Sequence, residues 1–362
     1  VVGVNRQDIV SVFLKFGTLL KQDELDWLLS QSDEIVTAVA SSHDPKKELS
    51  KRSARRIVFE SVKNLTRKPP QVTPDIQAGF FNSRYQLMKQ ITDERIRRDW
   101  VSLNRLPSRG DIFIAGIARN IIGGERTTVE VEDPTGSVSV VFDKMPQVCL
   151  DDFVAIHAVA SNGMFIGKEI LQPDIPLRKA ALGTGRGCFI SDLHLDEAPT
   201  TDGKRLFVKI AEENIDWVFL AGDVGDIGAL EKICGNVPLF IIPGDKDSTD
   251  GYPQLPLQTN RPNIIALSNP SVVRVGGLGV LMCHVFTIDM LRKRHLGTAQ
   301  SVTEDDFLAL DVVPDIVACG HDHKPLVSHY KATTIINAGS LLSHEVPIIV
   351  DFMSREWKPL MF

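Results

Sequence analysis

Cys188-Phe189-Ile190-Ser191-Asp192-Leu193-His194 is a short apolar run that ends in two potential metal ligands, and the same design recurs four more times down the chain. Trp217-Val218-Phe219-Leu220 leads into Ala221-Gly222-Asp223, and Leu239-Phe240-Ile241-Ile242 into Pro243-Gly244-Asp245-Lys246-Asp247. Val280-Leu281-Met282 leads into Cys283-His284, and Ile316-Val317-Ala318 into Gly320-His321-Asp322-His323. Apolar runs this short, closed by punctuation and a polar residue, read as strands buried on both faces. In such sheets ligands collect beyond the carboxyl ends of the strands. The pattern thus brings three carboxylates (Asp192, Asp223, Asp245) and four imidazoles (His194, His284, His321, His323) to one rim, where they would repel or stay unpaired without cations.

A Gly-Asp pair alone is a common turn, and a lone Gly-His is usually a loop. The five blocks together, in this order and each at a strand end, specify a metal site. Two divalent ions roughly 3.5 to 4 Å apart can share one carboxylate, clamp a phosphate and provide a hydroxide nucleophile at neutral pH. Mixed imidazole and carboxylate ligands suit manganese, iron or zinc better than calcium or magnesium, which prefer oxygen shells. The expectation is two divalent ions, manganese first, with iron or zinc as alternatives.

The order of blocks resembles the calcineurin-like metallophosphoesterase superfamily, whose signature runs Asp-x-His, Gly-Asp, Gly-Asn-His-Asp, His, Gly-His-x-His. The resemblance implies that Asp192, His194, Asp223 and His323 hold one ion. It implies that Asp223, as the bridge, with Asp245, His284 and His321 holds the other. The third block departs from the signature, with Asp245-Lys246 in place of Asn-His. Asp245 can still offer an oxygen, and its charge would tighten metal binding while weakening activation of the nucleophile. The histidine replaced by Lys246 is the one taken in the family to protonate the leaving oxygen or stabilise its charge. An imidazole titrates near working pH, whereas a lysine titrates near about 10.4 unless nearby cations depress it. Lys246 is therefore the candidate catalytic residue, as a charge stabiliser or a poorer acid, or else an exposed loop lysine marking a weakened enzyme.

The 362 residues, 43% hydrophobic and 24% charged, are enough for two or three domains with real cores. Five cysteines, at 149, 188, 234, 283 and 319, form no CxxC pair and read as small core hydrophobes of a reducing compartment. No stretch approaches the ~20 apolar residues of a membrane span, and no charged-then-apolar leader opens the chain, so the expectation is a cytoplasmic protein without membrane contact. The net charge of -6 is uneven: between Lys46 and Lys68 nine lysines and arginines stand against Glu48 and Glu60, a local balance of +7. This run reads as a linker that touches nucleic acid or an acidic partner, or simply as a solvated segment.

Residues 1–45 read as a small helical module. Ile9, Phe13, Phe16, Leu25, Leu28 and Leu29 line one apolar side of two helices broken near Gly17 to Lys21. A basic linker spans 46–79, and a helix around Ser83 to Arg98, with Tyr85, Met88 and Ile91 on one face, opens a domain over 80–175. Five strands follow: Ile112 to Ala118, Thr127 to Val131, Ser137 to Phe142, Asp152 to Ala160 and Met164 to Leu171. Turn residues separate them, and together they suggest an OB-fold barrel. The resemblance implies that residues 176–362 form a metallophosphoesterase domain, an α/β sandwich, so the expectation is a multidomain chain, α/β and β.

An OB-like domain directly ahead of a metallophosphoesterase domain resembles the family of small subunits of archaeal family D DNA polymerases. Tyr252-Pro253-Gln254-Leu255-Pro256, Leu267-Ser268-Asn269-Pro270, Met290-Leu291-Arg292-Lys293-Arg294-His295-Leu296, Val313-Pro314-Asp315-Ile316 and Ile335-Ile336-Asn337-Ala338-Gly339-Ser340 add to the likeness. The resemblance implies a two-metal 3'-to-5' exonuclease that proofreads at a DNA primer 3' end, as partner of a large polymerase subunit. Arg292, Lys293 and Arg294 would grip DNA, or else form a solvated helix face. Two other readings stand beside it. One is a scaffold subunit that cuts weakly or not at all. The other is a free-standing phosphodiesterase, which the portions ahead of the catalytic domain disfavour.

Overall fold

The computed structural model describes residues 6–15, 25, 61–68, 71–197, 200–248, 251–300, 302–343 and 347–362. In chain order they form α1 (Arg6–Lys15), β1 (Ser61–Asn64), α2 (Pro74–Arg95), β2 (Arg109–Ile122), β3 (Thr127–Asp133), β4 (Gly136–Phe142), β5 (Phe153–Ser161), β6 (Met164–Leu171) and β7 (Arg186–Ile190). There follow α3 (Thr200–Glu212), β8 (Trp217–Ala221), α4 (Ile227–Ile233), β9 (Leu239–Ile242), β10 (Ile264–Ala266), β11 (Ser271–Val275), β12 (Leu278–Met282) and α5 (Ile288–Lys293). The chain ends with β13 (Ile316–Cys319), β14 (Leu326–Tyr330), β15 (Thr333–Asn337), β16 (Ile348–Asp351) and β17 (Trp357–Pro359). The chain divides into two compact units. One contains 179–286 and 314–362 with the described residues up to 66, and the other contains 67–178 and 287–313.

The first unit is a sandwich of two six-stranded sheets, ordered β1-β11-β12-β13-β15-β14 and β10-β9-β8-β7-β16-β17. β7, β8, β9 and β10 run parallel, as do β12, β13 and β15. Every residue of β8, β9, β12 and β13 is buried, which is why these strands read as unbroken apolar runs rather than alternating ones. One core lies between the sheets, where Phe219 stacks with Phe189 and Phe240 in a buried cluster that includes Val280, Met282 and Ile316. A second core covers the outer face of the β7–β9 sheet with Leu206 and Ile210 of α3 and Leu230 of α4.

Ser61–Asn64, inside the segment read as a linker, pairs antiparallel with Ser271–Arg274 as an edge strand. The Leu65 amide donates to the Ser268 hydroxyl and the Pro270 carbonyl, which fixes the end of that strand. Nothing local marks these residues as a strand, because one apolar residue among polar ones satisfies no periodicity. Of the expected amino-terminal module, α1 buries Ile9 and Phe13, and Leu25 is buried. Phe16, Leu28, Leu29 and most of the basic run lie outside the described residues.

In the second unit β2-β3-β4-β6-β5 close into a five-stranded barrel, the OB-like arrangement that the five short strands implied. Ile114, Val129, Val131, Val140 and Ile156 point into it. α2 begins earlier than its apolar stripe suggests, because Thr73 accepts the Ile76 amide as N-cap and Pro74 suits the first turn. Residues 287–313, placed by the sequence inside the second large domain, pack in this barrel unit. Lys293 pairs with Asp152 at 2.7 Å, and Arg84 of α2 pairs with Asp306 at 2.6 Å. Arg294, a candidate DNA contact by sequence, is buried at 4% exposure and donates to the Leu310 carbonyl, while Arg292 pairs with Asp289. Four of the five free cysteines, all but Cys149, are buried, and burial pushes the Cys283 thiol up to about 12. Among the described residues no helix is long and apolar enough to cross a membrane.

Candidate metal centre

The seven residues expected as ligands fall at the carboxyl ends of β7, β8, β9, β12 and β13, and three groups of them come within reach of a single ion. Asp192, His194 and His323 form one group, and Asp245, His284 and His321 form another. Asp192, Asp223 and His284 form a third, which joins the first two. In each group the potential ligand atoms lie within 4.8 Å of one another.

Turns, rather than the strands themselves, aim these side chains. Asp192, His194, Asp223, His321 and His323 all have positive φ, between 45° and 72°. That left-handed region is unfavourable for residues bearing a Cβ, and such strain gathers at functional sites where the surroundings over-determine the backbone. The surroundings do so here. The Asp192 amide donates to the Gly222 carbonyl, and the Asp192 carbonyl accepts the Leu341 amide and the Ser340 hydroxyl. His194 N donates to the Asp223 carbonyl, and Asp192 Oδ2 accepts the His321 amide. Two glycines permit the close approach. A Cβ on Gly244 would strike Asp223 Oδ1 and its amide nitrogen, and one on Gly320 would strike Asp192 Oδ2.

The electrostatics of the cluster are those of a cation site. Asp192 is fully buried, and its Oδ1 has no hydrogen bond, with His323 Nε2 at 3.3 Å and His194 Nε2 at 4.0 Å. His284 donates from Nδ1 to the Ala221 carbonyl at 2.8 Å, which leaves the Nε2 lone pair facing Asp223 Oδ2 at 3.6 Å without a hydrogen bond. An imidazole held this way by a backbone carbonyl is the usual arrangement behind a metal-ligating histidine. Leaving buried polar atoms unpaired costs about 1–3 kcal/mol each, a cost that a divalent cation removes. Burial opposes ionisation of Asp223, yet its approach to His284 and the Lys246 amide hold the carboxyl down at about 2. Burial also opposes an imidazolium at His284, but Asp223 and the Ala221 carbonyl push that ring up to about 9, so a cation bound at Nε2 would take the place of a proton there. The donor set fits divalent ions that accept both nitrogen and oxygen.

Lys246 sits on the rim, half exposed, with Nζ 3.1 Å from Glu197 Oε1. That hydrogen bond raises the amine above its ordinary range. The Glu197 partner was not legible in the sequence, since no spacing links the two residues. Nor was the role of Asp247, whose carboxylate accepts the Val224, Gly225 and Gly244 amides at 2.8 to 3.0 Å and ties the β8 turn to the β9 turn. Its only signal was its place in the third block.

Residues 186–350 match the calcineurin-like phosphoesterase superfamily domain. The chain is similar to the DNA polymerase II small subunit of Methanothermobacter thermautotrophicus, 25% identical with 73% of this chain and 72% of that protein covered. It is similar to the protein of the same name in Archaeoglobus fulgidus, at 20% with 90% and 82% covered. The one in Thermoplasma acidophilum is 21% identical, with 99% and 91% covered. The strand-end cluster of aspartates and histidines therefore lies in the segment that matches the calcineurin-like phosphoesterase superfamily domain, within a chain that is similar to archaeal DNA polymerase II small subunits along most of its length.

Proposed function

We propose that this chain is the small subunit of a heteromeric archaeal DNA polymerase and acts in it as a metal-dependent 3'-to-5' exonuclease. The observation that carries this reading is the Asp192, Asp223 and His284 group, which shares Asp192 with one candidate triad and His284 with the other. Asp192, His194, Asp223 and His323 would hold one ion, and Asp223, Asp245, His284 and His321 the other. Two divalent ions, when bound, supply a nucleophile at neutral pH and positive charge against a phosphodiester. Manganese is the first candidate, with iron or zinc as alternatives. The residues do the rest: Asp223 lies between both triads, His284 keeps its Nε2 lone pair inward, and Lys246 holds a positive charge at the rim where a leaving oxygen would develop charge. An unpaired primer terminus costs less to peel away than a paired one, so mismatch selectivity needs no base reading.

The test is nucleotide release from a 3'-mismatched primer in manganese, comparing the chain with its His284→Ala variant, each with and without the large polymerase subunit. Release that depends on His284 is expected. No release even with the partner present would overturn the nuclease reading and leave a metal-bearing structural subunit.

The scaffold reading is favoured by one observation, the Lys246–Glu197 pair, which makes the amine a poor acid. It leads to a separate prediction. Lys246→His places a group that titrates near working pH at the rim, and it should raise the rate of release by about 10²-fold, the lower end of what general acids supply. Single-turnover release between pH 6 and 9 measures this. An unchanged rate would show that no acid is needed at this position.

A further inference from the structure

Two of the segments that carried the sequence resemblance have no part in the ligand set, yet they meet behind it. Gln254 and Asn269 are 4% and 3% exposed. Their backbones pair in both directions, Gln254 N to the Asn269 carbonyl at 2.8 Å and Asn269 N to the Gln254 carbonyl at 3.0 Å. Their side chains then form a relay. The His284 amide donates to Asn269 Oδ1 at 3.1 Å, Asn269 Nδ2 donates to Gln254 Oε1 at 2.8 Å, and Gln254 Nε2 donates to the Gly244 carbonyl at 3.0 Å.

The two ends of this relay are backbone groups of two ligand-bearing turns. One is the amide of His284 itself, and the other is the carbonyl of the residue directly before Asp245. Each amide side chain uses one donor and one acceptor in this line, so the spacing between the β9 turn and the end of β12 is set by two rigid planar groups. The Asp192, His194 and His323 triad is anchored differently, through Gly222, Asp223, Ser340 and Leu341.

We propose that Gln254 and Asn269 are positioning residues for the metal position formed by Asp245, His284 and His321, and not for the position formed by Asp192, His194 and His323. This rests on the two-metal reading above. Partners that orient ligands from behind commonly change metal affinity by about 10- to 100-fold when removed.

The experiment measures manganese rather than catalysis. The wild-type chain, Gln254→Glu, Gln254→Met and Asn269→Ser are each titrated with Mn(II) by equilibrium dialysis, and the bound metal is examined by electron paramagnetic resonance. Gln254→Glu keeps an acceptor for Asn269 but loses the donor to the Gly244 carbonyl. Gln254→Met loses both, and Asn269→Ser is too short to span the gap. The wild type should bind two ions with a spin-coupled spectrum. The variants should keep one ion at wild-type affinity, bind the second about 10- to 100-fold more weakly, and show an isolated Mn(II) signal at one equivalent. Two ions bound with unchanged affinity would overturn the proposal, as would an equal weakening of both sites in variants whose circular dichroism matches the wild type. Absence of manganese binding by the wild type would instead sink the metal reading, before any variant is considered. Where a variant does not fold, hydrogen exchange on the wild type decides. The His284 amide and the Gly244–Lys246 amides should gain protection together on adding manganese, and independent protection would count against the relay.

Discussion

Asp223→Asn is expected to cut release of 3'-terminal nucleotides by more than about 10²-fold, exceeding the usual effect of altering groups behind a metal ligand, and to abolish binding of two ions together. Asp223 is the carboxylate placed between both triads. Its Oδ2 lies 3.6 Å from His284 Nε2, and its Oδ1 accepts the Lys246 amide at 2.9 Å. The asparagine carbonyl can keep the Lys246 hydrogen bond, so the β9 turn should hold its shape while the negative charge that two cations would share disappears. Primer-release rates and manganese stoichiometry measured on the same preparation check this, with thermal unfolding as the control. Retention of both ions and of full activity would overturn the proposed bridging role of Asp223.

Arg84→Ala is expected to destabilise the barrel unit by about 3–5 kcal/mol, the usual cost of breaking a buried charge pair and leaving one partner uncompensated. The Arg84 and Asp306 side chains are 3% and 0% exposed, with Nε to Oδ2 at 2.6 Å. Arg84 also donates to the Asp151 carbonyl, and His295 Nε2 lies 2.8 Å from the same Asp306 oxygen. Burial opposes ionisation of Asp306, but His295 and then Arg84 hold its carboxyl well below the usual carboxylate range.

The sign of the pH dependence follows from that depressed value. The stabilisation by Asp306 is fully present above the unfolded carboxyl value of about 3.9 and is lost as pH falls through the folded one. In Arg84→Ala the carboxyl loses a cation and its folded value rises, so the variant has less of this stabilisation to lose on acidification than the wild type. Urea unfolding of the wild type and the variant at pH 7 and pH 4 reads this as a stability gap that narrows on acidification. A gap below about 1 kcal/mol at pH 7, the size typical of exposed ion pairs, would mean that the pair is no better than a surface one.

Much of the fold was legible because the signals that define it are local. The alternating residues and turn chemistry of residues 109–171 specify five strands whatever surrounds them, and those strands close into the barrel. The unbroken apolar runs before Asp192, Asp223, Asp245, His284 and His321 likewise determined both the buried strands and the rim on which seven potential ligands gather.

Tertiary structure decided what depends on contacts between distant residues. His194 meets His323 across 129 positions, and Asp223 meets His284 across 61, so the grouping of the seven candidate ligands into joined triads exists only in three dimensions. The same holds for Ser61–Asn64, which becomes a strand only by pairing with β11, and for Arg294, whose charge looked available for DNA until its carbonyl partner buried it. It holds too for Glu197 beside Lys246 and for the Gln254–Asn269 relay. Periodicity and turn chemistry are properties of neighbouring residues, whereas which polar group faces which is set by how the strands pack, and no short-range pattern encodes that.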